Sequence, residues 1–150
     1  WAIERQDGLR LPCTHPCIVV TDQLSRYEQF KLYMLNLGHS WLAERWQMDG
    51  RPADETVHEA MGDPALRQSL EALWEEEVLP VFAAKGELPL ARNYLASVRD
   101  RFLNPFLQHR IADIAQNHEE KKRRRFLPVV EQGRKIPGLL QARLEQALAT

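Results

Sequence analysis

The apolar positions between residues 21 and 46 recur with helical spacing and predict one long helix. Four of them are related by steps of three and four residues: Phe30, Met34, Leu37 and Trp41. At about 100° per residue, this spacing lays them in one narrow stripe, the surface expected to face the core. Thr21 or Asp22 is predicted to cap the helix, which runs to about Trp46 before Asp49-Gly50-Arg51-Pro52 ends it.

Proline, glycine and cap residues divide the remainder of the chain into loops and helices. Residues 8–20 are loop-like and end in Ile18-Val19-Val20, whose β-branched side chains favour a short extended segment. Asp63-Pro64 and Asn104-Pro105 each combine an N-cap with a proline at the first helical position, and Pro137 opens the last helix. After the first helix, the predicted helices are residues 53–61, 63 to 80 or a little past, 89–103, 104 to about 116, and 138–149. No repeat or linker interrupts them, so we expect one multi-helical, all-α domain over residues 1–150.

A second face of the first helix mixes aliphatic side chains with polar ones. On the same wheel, an arc of roughly 140° holds Glu28, Lys31, Leu32, Leu35, Asn36, His39 and Leu42. A solvated face would carry more charged residues, and a plain core face would not combine a lysine, an amide and an imidazole. The pattern is typical of a mostly apolar ligand pocket with a few converging polar groups.

The chemistry of this predicted pocket wall follows from its three polar groups. Desolvation would lower the pKa of the Lys31 ammonium towards neutrality and make it a usable general acid or base. Asn36 and His39 are neutral donors that can hold a carbonyl or developing alkoxide oxygen. The spacing alone leaves two other interpretations open, a buried polar network and an anchor between helices.

Charge and composition exclude several classes of partner. The 150 residues include 20 basic and 21 acidic side chains, a net charge of −1, so no chain-wide field attracts nucleic acid or an anionic membrane. No apolar run approaches the roughly 18 residues of a membrane span, and the first residues lack the pattern of a signal peptide. We therefore expect no nucleic-acid or membrane partner and a cytoplasmic location. The start at Trp1 rather than Met favours a fragment of a longer protein.

Two local clusters suggest other chemistry and are interpreted as structural. Cys13-Thr14-His15-Pro16-Cys17 offers three metal ligands without a second pair, so a loop is favoured over a zinc site or a disulfide. The five cations at residues 121–125 follow two glutamates and have no interleaved aromatic residues. A solvated helix face with paired acids is favoured there over nucleic-acid binding.

Several separated motifs resemble those of the long-chain mannitol dehydrogenase family. The stretch Arg26 to Ser40 carries Lys-x4-Asn-x2-His at Lys31, Asn36 and His39, preceded by Tyr27-Glu28, which is similar to the family signature. The resemblance extends to Trp1-Ala2-Ile3-Glu4, Val20-Thr21-Asp22, Arg101-Phe102-Leu103-Asn104-Pro105 with His109, and Lys121 with Arg125-Phe126-Leu127-Pro128. It covers most of the chain, with the blocks in the family order.

The resemblance implies a two-domain, NAD(P)-dependent oxidoreductase acting on polyols or sugar acids. An N-terminal Rossmann domain would hold the NAD or NADP, and this chain resembles the helical C-terminal substrate domain alone. It contains no Gly-x-Gly-x-x-Gly after a strand, so the isolated chain is expected to be inactive and to need its Rossmann domain as partner. The residue that selects between NAD and NADP would lie in that other domain.

The same resemblance implies roles for individual residues, with no metal in the site. Lys31 would be the general acid/base, and Asn36 and His39 would bind the reacting oxygen. Glu28 would relay the proton of Lys31 or tune its pKa, unless it forms only a surface pair with Lys31. The candidates for contacts to substrate hydroxyl or carboxylate groups are Arg101, Asn104 and His109, with Lys121 near the substrate or cofactor. Asn104 is more simply the N-cap of the helix opened by Pro105.

Two functions from different classes are compatible with the sequence. The first is the substrate domain of a hydride-transfer enzyme of the mannitol 2-dehydrogenase, fructuronate reductase and tagaturonate reductase group. Asn104-Pro105-x3-His109 followed by Ile114-Ala115 is somewhat closer to the uronate reductases. The second is a helical binding or interaction module that kept the fold without the chemistry.

Overall fold

The long helix predicted from the apolar stripe is present at residues 24–48 and forms the centre of the fold. The computed structural model describes residues 2–8, 10, 11, 13, 15, 16, 18–21 and 23–150. This helix, α1, is continuous through three segments: Leu24–Phe30, the π-helical Lys31–Asn36 and Leu37–Met48. It begins after Gln23, whose backbone N–H donates to Thr21 Oγ1 at 3.0 Å. The other predicted cap, Asp22, lies outside the described residues, as do Trp1, Pro12 and Cys17.

Seven further helices and two short strands complete the described part of the chain. The helices are α2 (Val57–Met61), α3 (Pro64–Ala84), α4 (Leu88–Phe102), α5 (Ile111–Ile114), α6 (His118–Arg125), α7 (Leu127–Gly133) and α8 (Ala142–Ala149). Helix α3 runs through Pro64–Leu73, a π-helical turn at Trp74–Val78, and Leu79–Ala84. Strand β1 (Ala2–Glu4) pairs in parallel with β2 (Val19–Thr21), with Ala2 in register with Val19. The mostly helical, all-α prediction is confirmed, while β1 was not among the predicted elements.

The apolar stripe of α1 lies where the sequence places it. The side chains of Phe30, Met34 and Leu37 are fully buried, and Trp41 is 6% exposed. Helices α3, α4, α5 and α6 pack around this helix, so that it contributes to a single core that extends to α8. Among the described residues, every helix is too short or too polar to span a membrane.

The predicted start of α3 is confirmed at atomic detail. Asp63 Oδ1 accepts from the backbone N–H groups of Ala65 and Leu66 at 3.0 and 3.3 Å, and Pro64 occupies the first helical position. Two donors that the first turn cannot satisfy internally are thereby paired.

The predicted helix from Asn104 to about Gln116 is wrong over most of its length. Asn104 Oδ1 accepts from Phe106 N at 2.9 Å and forms a local turn instead of a helix N-cap. The following chain pairs with the start of α2, through Val57 N to His109 O and Ile111 N to Glu55 O, each at 2.9 Å. These long-range bonds satisfy the backbone in an extended conformation, so only α5 is helical.

The last helix also begins later than predicted, at Ala142 rather than residue 138. Gly138 has a φ of +78°, in the left-handed region that a helix excludes. The side chain of Gln141 is buried and donates to Glu77 O at 2.9 Å and Val129 O at 3.2 Å. A β-carbon on Gly133 would overlap this amide, so a larger residue there would displace Gln141 from its two hydrogen bonds.

The π-helical segment of α1 was not predicted, and it changes the geometry of the polar positions on this helix. Leu37 N donates to Leu32 O, the i to i−5 bond of a π-helix. The indole of Trp74, from the π-turn of α3, donates to Met34 O at 3.1 Å. Because a wider turn contains more residues, the assumed 100° per residue does not hold across residues 31–36.

A buried carboxylate joins α1 to α6 and to Thr150. Glu44 Oε2 lies 2.6 Å from His118 Nε2 and 3.3 Å from Lys122 Nζ, and Thr150 Oγ1 donates to Glu44 Oε1 at 2.5 Å. Burial by itself raises the pKa of Glu44, but the hydrogen bonds from Thr150, His118 and Lys122 outweigh it and leave the pKa lowered. Lys122 also donates to Ala147 O at 3.0 Å, so the run at 121–125 is not uniformly solvated.

A second buried carboxylate, Glu77, holds the N-terminus of α8, and its loss is expected to destabilise the chain. Its oxygens accept from Arg143 N and Leu144 N, each at 3.0 Å, and its side chain is 2% exposed. The Glu77→Ala variant should lose about 2 to 4 kcal/mol of unfolding free energy in urea denaturation, because buried donors lose their acceptor. Glu76 pairs with the same Arg143 at 2.6 Å but is 61% exposed, so Glu76→Ala should cost under about 1 kcal/mol. Equal losses of unfolding free energy in the two variants would contradict the role of Glu77 as the buried acceptor that stabilises the start of α8.

Candidate functional site

A pocket of about 300 Å³ opens where the C-terminal part of α1, the start of α2 and the end of α4 meet the segment before α5. Its walls are formed by His39, Val57, His58, Arg101, Phe102, Leu107, Gln108 and His109. Three imidazoles and one guanidinium therefore face a common space. Among the described residues, no group of three or more histidine, cysteine, aspartate or glutamate side chains has a geometry that would hold a metal ion.

His39 forms the buried floor of this pocket. Its ring stacks on Phe102 with centroids 4.5 Å apart and an interplanar angle of 9°, and it meets the edge of His109 at 5.0 Å. The side chain of Phe102 is in turn held against Gly38, where a β-carbon would approach the Phe102 ring at 3.2 Å and Trp74 at 2.7 Å. Glycine at position 38 thus allows the close packing that orients the imidazole.

The electrostatic environment keeps His39 neutral at physiological pH. Burial lowers the pKa of His39 to about 3, and repulsion from His109, Arg101 and Arg125 acts in the same direction. A neutral imidazole has one donor and one acceptor nitrogen, and neither nitrogen of His39 has a hydrogen-bond partner among the described residues. His39 therefore has both of its hydrogen-bonding groups available for a bound molecule.

His109 is brought to the pocket by backbone pairing, and Arg101 faces it from α4. The bond from Val57 N to His109 O fixes the segment against α2. Burial lowers the pKa of His109, Arg101 and Lys121 lower it further, and Asp113 partly opposes them. Arg101 is exposed at the pocket and has no ion-pair partner among the described residues, so its guanidinium is free to bind an anionic group.

Asn36 is half-buried on the turn of α1 that precedes His39, and Arg125 from α6 braces it. Arg125 Nη1 donates to Asn36 O at 3.2 Å and to Ser40 Oγ at 2.7 Å. Burial, followed by repulsion from Arg124, lowers the pKa of Arg125. The backbone carbonyl at Asn36 is satisfied by this contact, and the Asn36 side chain has no partner among the described residues.

The predicted burial of Lys31 is wrong in this structure. Lys31 and Glu28 are both exposed, and no ion pair joins them. Leu35 and Leu42, predicted on the same wall, belong to the core, with exposures of 7% and 0%. The π-helical turn changes the angle between Lys31 and His39 from that of a regular helix, and of the predicted wall only His39 lines the pocket.

Of the other residues predicted to contact the substrate, two line the pocket and two form local hydrogen bonds. Arg101 and His109 line the pocket together. Asn104 does not line it, and its side chain closes the turn to Phe106. Lys121 donates to Ile114 O at 2.6 Å, and burial followed by repulsion from Arg125 lowers its pKa.

Sequence reasoning missed two residues that shape the site, His58 and Arg125. Nothing in the spacing around His58 marks it, because it reaches the pocket only through the pairing of α2 with residues 109–111. Arg125 was interpreted as part of a solvated cationic run, yet it is half-buried on α1. Cys13 is an exposed free thiol, and its neighbour Cys17 lies outside the described residues.

The lowered pKa of His39 predicts a specific loss of stability in acid. The His39 imidazole of the unfolded chain binds a proton near its ordinary pKa of 6.5, whereas that of the folded chain binds one only near pH 3. The folded state therefore keeps its full stability relative to the unfolded state above about pH 6.5. This stability is lost as the pH falls towards 3, by up to about 1.4 kcal/mol per pH unit. Urea unfolding of the wild-type chain and His39→Gln at pH 7 and pH 5 should show a steeper loss in the wild type. Glu44 destabilises both proteins in acid alike, so parallel losses would contradict the burial of a neutral His39.

Comparison with known proteins places the chain in a family. The family model described as "Mannitol dehydrogenase C-terminal domain" matches residues 23–150. The chain is 34% identical over 142 residues to the altronate oxidoreductase of Enterobacter sp. (strain 638), covering 94% of this chain and 28% of that protein. The altronate oxidoreductase of Escherichia coli O139:H28 (strain E24377A / ETEC) is also 34% identical, over 88% of this chain and 26% of its own length. The chain thus spans about a quarter of these relatives, and it belongs to the mannitol dehydrogenase family as a C-terminal domain.

Proposed function

We propose that this chain is the substrate domain of an NAD(P)-linked oxidoreductase that interconverts a secondary alcohol of a polyol or hexonate with the corresponding ketone. The observation that carries the proposal is the convergence of His39, His109 and Arg101 in one pocket. The family membership and the oxidoreductase names of the relatives agree with it.

The character of the pocket favours an oxygen-rich, anionic substrate. Neutral imidazoles hydrogen-bond hydroxyl and carbonyl oxygens, and the Arg101 guanidinium matches a carboxylate through two parallel hydrogen bonds. The positive charges of Arg101, Lys121 and Arg125 act on His39 and His109, so the electrostatic potential in the pocket is positive. A sugar acid such as the altronate named for the relatives satisfies these groups better than an uncharged polyol.

Lys31, Asn36 and His39 are assigned to the reacting hydroxyl. In the oxidation, Lys31 Nζ takes the hydroxyl proton, while Asn36 and His39 donate to the oxygen as it acquires negative charge. NAD or NADP, when bound, would accept the hydride that leaves the carbon. In the reduction, the same ammonium returns the proton. Glu28 is proposed to relay the proton of Lys31 or tune its pKa, and Lys121 to lie near the substrate or cofactor. No metal is assigned to the reaction. The position of Lys31 on a π-helical turn supports a functional assignment, since such turns are frequent at functional sites.

The exposure of Lys31 requires a covering partner. A solvated ammonium is a poor base near neutral pH, and desolvation would lower its pKa into a useful range. We assign this cover to an N-terminal Rossmann domain that brings the NAD or NADP. No glycine-rich turn in this chain fits a pyrophosphate, so its residues move the proton and hold the oxygen but do not hold the cofactor. Phe106, 89% exposed beside the pocket residue Leu107, is suited to lie under such a cover.

A second candidate function is a helical binding module without catalysis. The exposed Lys31, which the pocket does not include, favours it. A binding module would keep the affinity of the pocket for sugar acids but would gain no turnover from any cofactor.

The test is the activity of the full-length gene product towards altronate, mannonate and mannitol with NAD and NADP. We expect oxidation of at least one hexonate, and no turnover by the 150-residue chain alone. A full-length protein that is inactive on the whole panel in both directions would overturn the proposal and leave the binding module.

A further inference from the structure

His58 lines the pocket but has no part in the roles proposed above. It is the second residue of α2 and lies half-buried beside His39, Arg101 and His109. The start of α2 is closed by the reciprocal hydrogen bonds of Thr56 and Glu59 and is tied to the segment at His109 by backbone bonds. The imidazole is therefore presented to the pocket from a well-fixed element.

One hydrogen bond defines the tautomer of this ring. His58 Nδ1 lies 3.0 Å from Leu103 O, at the end of α4. A carbonyl oxygen can only accept, so Nδ1 carries the proton and donates, and the neutral ring has its lone pair on Nε2. No described residue donates to His58 Nε2. The structure thus offers a hydrogen-bond acceptor in the wall of a pocket whose charged member, Arg101, has donors alone.

The chemistry of a polyhydroxylated substrate calls for such an acceptor. Each hydroxyl group both donates and accepts, and a buried hydroxyl hydrogen without an acceptor weakens binding. Asn36 and His39 are assigned as donors to the reacting oxygen, and Arg101 as a donor to a carboxylate. We infer that His58 is a specificity-determining residue whose Nε2 accepts a hydrogen bond from a non-reacting hydroxyl of the substrate chain; this inference rests on the proposed function.

Two isosteric variants separate this role from a structural one. Asparagine places its amide near the position of Nδ1, so His58→Asn can keep the bond to Leu103 O but loses Nε2. Glutamine places its amide near the position of Nε2, so His58→Gln keeps a polar group facing the pocket but loses the bond to Leu103 O. For the full-length protein and a hexonate substrate, we expect His58→Asn to raise KM about 10-fold with kcat nearly unchanged, and His58→Gln to raise it less.

The comparison is completed with a deoxy analogue of the hexonate for each protein. The wild type should discriminate against one analogue that lacks a single non-reacting hydroxyl, and His58→Asn should lose that discrimination. If His58→Gln is impaired while His58→Asn matches the wild type in KM and in discrimination, His58 only holds the end of α4 and the inference fails alone. If the wild-type full-length protein oxidises or reduces nothing on the panel, the proposed function fails first and the inference falls with it.

Discussion

Replacement of Lys31 by alanine in the full-length protein is expected to lower kcat by about 10²- to 10⁴-fold, the usual contribution of a positioned general base. The exposed side chain has no contact whose loss would unfold the domain, so stability should change by less than about 0.5 kcal/mol. A small primary amine added to Lys31→Ala should restore part of the rate, because it supplies the missing base. Steady-state kinetics with and without the amine make the measurement.

Lys135→Ala is the matched control for this experiment. Lys135 is an exposed lysine on the turn after α7, outside the pocket, and its removal should leave kcat within about twofold of the wild type. Full activity of Lys31→Ala, or a loss that no amine restores and that accompanies unfolding, would remove Lys31 from the reaction.

Replacement of Arg101 by methionine is expected to raise KM for a hexonate by about 10- to 100-fold. The loss corresponds to a charge-assisted hydrogen bond between the guanidinium and the carboxylate. An uncharged polyol lacks the carboxylate, so its KM should change by less than about threefold. Steady-state kinetics on altronate and mannitol, compared as a ratio, measure the effect.

Arg92→Met serves as the control on the same helix. Arg92 pairs with Glu75 at 3.1 Å on the surface of α4 and does not line the pocket, so both KM values should stay near those of the wild type. Equal changes for the hexonate and the polyol in Arg101→Met would show that Arg101 supports the pocket without binding a carboxylate.

The sequence predicts the parts of the fold that depend on local pattern. The stripe of Phe30, Met34, Leu37 and Trp41 is buried as its spacing requires, and Asp63-Pro64 caps α3 as predicted. The spacing of apolar residues and the chemistry of caps act within a few residues, so a single sequence contains the information. The presence of Arg101 and His109 near the substrate was expected from the family resemblance alone.

The sequence does not predict what depends on residues that are distant along the chain. The indole of Trp74 donates to Met34 O across 40 positions of the chain, at the unpredicted π-helical turn of residues 31–36. The predicted helix after Asn104 gives way to pairing with α2, which lies far earlier in the chain and brings His58 into the pocket. In each case a tertiary contact overrides a local preference.

The most direct test of the substrate pocket is a crystal structure of the full-length protein with a bound hexonate and the oxidised nicotinamide. We expect the carboxylate on Arg101, the reacting hydroxyl within hydrogen-bond distance of Asn36 and His39, and Lys31 Nζ covered and within about 3 Å of the same oxygen. A hexonate bound elsewhere, with Lys31 still exposed to solvent and the pocket of His39 and His109 without substrate, would contradict the proposed function.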